Sequence, residues 1–245
     1  MRTSNPTLRD SVFRDAPRTA SGDVMTVQGA VNKTALLLLI LVVPALWVWN
    51  RVEAAPESVG PIILLGVIGW LIAALVTIFK KTWAPITAPI YAALEGLALG
   101  GISAFFEMQF PGIVIQAVGL TFGTLGALLF AYRTGMIRAT ENFKMGVVAA
   151  TGGIALVYLV SLVMGFFGTT VPFIHESGPI GIGFSVFVVV IAALNLVLDF
   201  DFIEHGAEAG APKYMEWYAS FGLLVTLVWL YLEILRLLAK LQSRD

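Results

Sequence analysis

Apolar residues along this chain gather into seven long runs, at about residues 34–50, 61–79, 85–107, 112–132, 145–168, 178–200 and 215–238. Each has the length, roughly 17–25 residues, that a helix needs to cross a bilayer core about 30 Å thick. The runs are separated by "RVEAAPESVGP", "KKTWAP", "MQFPG", "RTGMIRATENFK", "TTVPFIHESGP" and "EHGAEAGAPK", every one polar or rich in Pro and Gly. These spacers are mostly short, which predicts an all-α transmembrane bundle packed as one body. The expected organisation is a polar arm over residues 1–33, a seven-helix membrane domain over 34–240 and a short tail over 241–245.

Composition supports the same class. Hydrophobic residues make up 58% of the chain and charged residues 13%, far too little charge to solvate the surface of a soluble protein of this size. A net charge of -1, with no basic run interleaved with aromatics, removes nucleic acid as a partner. The absence of cysteine removes disulfides, thiolate metal sites and thiol chemistry.

Charge position predicts orientation. Arg2, Arg9, Arg14, Arg18, Lys33, Lys80, Lys81, Arg133, Arg138, Lys144 and Lys213 fall on one side of the seven spans, against Arg51, Arg236, Lys240 and Arg244 on the other. The amino terminus is therefore expected in the cytoplasm and the carboxyl terminus outside, in the inner (plasma) membrane. The arm lacks the apolar core and cleavage site of a secretory signal, and reads as a retained cytoplasmic segment.

Glycines within the spans, Gly96 and Gly100, Gly123 and Gly126, Gly152 and Gly153, Gly181 and Gly183, are expected to mark close helix packing. No internal repeat supports an inverted-repeat transporter.

Ionisable residues inside a membrane are costly and face a bundle interior or water. That narrows the search to Glu95 in the third span, Asp199 and Asp201 at the end of the sixth, and Glu216 and Glu233 in the seventh. Glu95 lies too deep for a short carboxylate to reach water, so it is either protonated or paired. Asp199 follows Asn195 by four residues, on one helical face that looks inward. Asp201 lines up instead with Glu204, His205 and Glu208, a face that continues toward solvent. Glu233 has Arg236 three residues on, which predicts a local ion pair, and Glu216 at the start of the last span favours a helix amino terminus. Phosphate loops, Gly-x-Ser-x-Gly elbows and His-Glu-x-x-His helices are missing, and the two histidines, His175 and His205, fall on opposite sides of the membrane. Catalysis is not expected.

The lead-in "MTVQGAVNKT", "YAALEGLALGGIS" in the third span, "LNLVLDFDFIE" closing the sixth and "YLEILRLL" ending the last together resemble the Bax inhibitor-1 family, and within it the bacterial branch, from about residue 25 to the end. The resemblance implies six helices around a central seventh and a pH-sensitive calcium leak or exchanger, with the lipid bilayer, protons and a possible calcium ion as its partners. It also implies a latch, in which an acid near the cytoplasmic end of the sixth helix shares a proton with one in the seventh. By motif the first acid is Asp199, the candidate gate and a possible transient calcium ligand. The second falls at or near Thr226, so the latch is not copied as it stands; Glu95, Glu216 and Asp201 are the substitute partners, and Asn195 shares the Asp199 face. The alternative reading is a non-conducting regulator of a membrane protease or stress response, acting through the arm.

Overall fold

The structure, a computed structural model, describes residues 24–168 and 176–243. The arm up to residue 23, residues 244–245 and His175 lie outside the described residues, together with the expectations attached to them. Among the described residues seven helices are long and apolar enough to span a membrane. They are α1 (Val27–Ala54), α2 (Val59–Phe79), α3 (Ala84–Gln109), α4 (Ile113–Arg133), α5 (Glu141–Phe166), α6 (Pro179–Glu208) and α7 (Met215–Gln242). Among the described residues there is no strand beyond an isolated bridge between Val24 and Pro212. In hydrocarbon a helix satisfies its own backbone groups, which is why every apolar run becomes one. The chain is a multi-pass membrane protein.

The helices outrun the apolar runs at two informative places. Thr26, in extended conformation, accepts a hydrogen bond from the Gly29 amide at 2.9 Å and so caps α1 well before residue 34. Residues 27–33, expected in the arm, are therefore the first turns of α1. At the other place α6 continues through Asp199, Asp201 and Glu204 to Glu208, and Gly210 with a left-handed φ of 66° ends it.

The helices group into two compact units. One contains α1, α2 and α3 with Asp201–Val225, the last turns of α6 and the first half of α7; the other contains α4 and α5 with α6 up to Phe200 and α7 from Thr226 onward.

In the first unit α1 and α3 pack backbone against backbone. A β-carbon on Gly96 would collide with the Leu41 carbonyl and lie 2.8 Å from Pro44 Cγ, and one on Gly100 would collide with the Ala45 carbonyl. The expected small-residue seam is present there. Gly123, Gly126, Gly152, Gly153 and Gly183 behave differently: nothing lies within 4 Å of the β-carbon each lacks, because no neighbouring backbone opposes those faces. Thr77 and Thr87 tie α2 to α3 through a 2.7 Å hydroxyl pair.

The second unit packs Ile154, Val188 and Ile191 against Tyr158, Phe184 and Trp229. Of the seven helices α7 is the most enclosed, with 67% of its apolar stretch buried against 11% for α5.

Candidate functional site

Asp199 sits deep in α6, only 2% exposed, between the buried Leu198 and Phe200, and the Phe200 ring rests 5.9 Å from that of Tyr132. The Thr226 hydroxyl on α7 donates a hydrogen bond to its carboxyl, and its second oxygen, Oδ2, is buried without a partner. Thr226 is at or near the position where the resemblance puts the family's second acid. A hydroxyl thus stands face to face with Asp199, in keeping with the expectation that the family's second acid does not carry over to this chain. Asn195 takes partners of its own, donating to Thr151 Oγ1 on α5 and to the Ile191 carbonyl, both at 2.8 Å. The inward face expected from the Asn195/Asp199 spacing is real, but each residue ties α6 to a different helix.

Glu95 is buried in α3 and accepts from the Tyr91 hydroxyl, one turn earlier, at 2.7 Å. Its Oε2 is buried with no partner.

Glu216 does more than favour a helix start. It is fully buried on the first turn of α7 and ion-paired with Lys33 of α1, while the Thr26 amide and hydroxyl donate to its Oε1 at 2.9 and 3.0 Å. Lys213, half exposed, lies 3.4 Å from the same oxygen. Beside this carboxylate Gly29 has no room for a β-carbon. Through Glu216, and through the Met25 amide bonded to the Ala211 carbonyl at 2.6 Å, the start of α1 is pinned to the α6–α7 connection.

Asp201 lies beside His205, 3.4 Å from its Nδ1, and Glu204, His205 and Glu208 are exposed, as the helical phase predicts. Glu233 forms the expected pair with Arg236 at 2.9 Å, and the Tyr158 hydroxyl, bonded to both, completes a triangle. Lys240 turns elsewhere, to the Gly181 carbonyl and Ser185 Oγ at 3.0 and 2.9 Å.

Sequence reasoning missed Thr26, Lys33, Tyr91 and Tyr158 as partners. Tyr91 was within reach, since a residue four before Glu95 shares its helix face. The other three come from distant segments and carry no local signal.

Among the described residues no group of three or more His, Asp or Glu side chains is placed to hold a metal ion. One carboxyl and one hydroxyl at Asp199 fall far short of the roughly six to eight oxygens of a resident calcium. A bare carboxylate with a single neutral donor costs several kcal/mol at such depth, so Asp199 is cheapest as the neutral acid.

A family model described as Bax inhibitor 1 like matches residues 5–243. No curated protein and no solved structure matches the chain.

Proposed function

The chain belongs to the Bax inhibitor 1 like family, and from that premise we propose that it is a pH-sensitive calcium leak or exchanger in which the Asp199–Thr226 pair is the gate. The observation that carries this reading is the Asp199 carboxyl itself, enclosed at 2% exposure with one hydroxyl partner and one orphan oxygen. With its proton in place, Asp199 is a neutral group that ties α6 to α7. Loss of the proton leaves an anion in an apolar site, where Thr226 alone does not offset the desolvation cost. Separation of the two helices then lets water reach the carboxylate, and its oxygens become hard ligands for a passing calcium ion. In this mechanism raised pH favours the open form.

The test is calcium flux in proteoliposomes across a range of pH. Flux is expected to rise with pH, and Asp199→Asn, which mimics the neutral acid, is expected to hold the protein shut. Flux equal to that of empty vesicles, or an Asp199→Asn protein with the parent's pH profile, would sink the reading.

A second reading, a non-conducting regulator of a membrane protease or stress response, is favoured by the pinning of the arm's root. Val24, Met25 and Thr26 all bond to the α6–α7 connection or the first turn of α7. A partner pulling on the cytoplasmic arm would act directly on α7. Removing residues 1–23 separates the two readings, since a leak survives the deletion and a regulator acting through the arm does not.

A further inference from the structure

The Asp199–Thr226 pair makes no use of Glu95, whose carboxyl is also left incomplete. Glu95 is 7% exposed, the Tyr91 hydroxyl is the one hydrogen-bond partner it has among the described residues, and Oε2 has none. Tyr91 is not free to turn to water: its ring is held edge-on by Phe221 at 4.8 Å and by Trp70 at 6.2 Å between centroids.

Among the described residues the elements of the same unit bring no countercharge to Glu95. α1 has no ionisable residue between Lys33 and Arg51, and α2 has none between Glu57 and Lys80. The Asp201–Val225 segment brings Glu216, which faces Lys33 and Lys213, Asp201, which faces His205, the exposed Glu204 and Glu208, Tyr214, and Tyr218. Against the residue next to Glu95 lies the Pro44 ring of α1, seated on Gly96. Proline has no amide hydrogen, so Pro44 supplies no helical donor to the Ile40 carbonyl at this crossing of α1 and α3.

The choice between protonation states follows from magnitude. An isolated buried carboxylate costs far more than a neutral acid with one unused polar group. We infer that Glu95 and Tyr91 form a second proton-binding site, in the unit that does not contain Asp199, whose ligand is a single exchangeable proton. Any state in which the α1–α3 seam admits water releases that proton, so opening of this unit is linked to pH independently of Asp199.

Infrared difference spectra of the full chain in lipid nanodiscs, taken between mildly acidic and alkaline pH, test this. The parent is expected to show two protonated-carboxyl components that disappear as pH rises. Asp199→Asn keeps the Glu95 component, Glu95→Gln loses it, and Tyr91→Phe shifts its frequency by removing the hydroxyl donor. Glu95→Asp, a second route if the glutamine variant does not fold, restores a component at an altered frequency. A Glu95→Gln spectrum superimposable on the parent's overturns the inference. So does a Glu95 component that persists undiminished to the pH at which the protein unfolds, because that acid would be a permanent structural group. Neither outcome depends on whether calcium passes.

Discussion

Glu216 and Asp199 are enclosed to nearly the same degree, 0% and 2% exposed, yet their company is opposite. Glu216 has two lysines and two Thr26 donors around it; Asp199 has one hydroxyl and an orphan oxygen. The same contrast divides Glu233, paired with Arg236, from Glu95, bonded to Tyr91. Among the described residues each of the two units therefore carries one buried acid with a cation and one without. Access decides which is which. Lys213 and Arg236 keep 48% and 41% of their side chains in contact with the surroundings, so a cation at a helix end holds a carboxylate without being wholly buried itself. Deeper in the spans, among the described residues, no cation reaches Asp199 or Glu95.

Four substitutions test this division, in decreasing order of effect. Glu216→Ala strips two lysines and Thr26 of their common acceptor and is expected to cost about 3–5 kcal/mol in chemical unfolding in detergent; a loss below about 1 kcal/mol would mean the ion pair is incidental. Glu233→Gln keeps the shape but removes the charge facing Arg236, and a loss of about 1.5–3 kcal/mol is expected by the same measurement. Thr226→Val takes from Asp199 the hydroxyl bonded to it and is expected to cost about 1–2 kcal/mol. Asp199→Asn is the sharpest discriminator despite its small effect. If Asp199 is neutral in the folded protein, the amide replaces it at no more than about 1 kcal/mol while the pH response of flux disappears. A loss as large as that of Glu216→Ala would place Asp199 among the ionised acids and break the comparison.

Much of this was legible beforehand. The seven spans follow from runs of apolar residues, and the phase of α6 separates Asp199 from Asp201 as the structure does. The first turns of α1 were not legible, because Gln28, Asn32 and Lys33 read as a polar arm, and the lysine on that helix is explained by the buried Glu216 and by the Trp217 ring beneath it. The glycine pattern was half informative. Gly96 and Gly100 oppose a backbone and Gly123 and Gly152 do not, although the local sequences look alike.

The sequence by itself determined the class and the short roster of acids, since both rest on hydrophobicity and on the cost of charge in lipid, which are local properties of the chain. The Glu233–Arg236 pair was already written in an i, i+3 spacing, but only the tertiary structure decided that Glu216 meets Lys33 and that Asp199 and Glu95 meet no cation among the described residues. Thr26 and Lys33 meet Glu216 from 190 and 183 residues away, and Thr226 meets Asp199 from the next helix. The physical reason is that a buried charge is settled by whatever lies within hydrogen-bond reach, and beyond one helical turn packing, not sequence spacing, sets that reach.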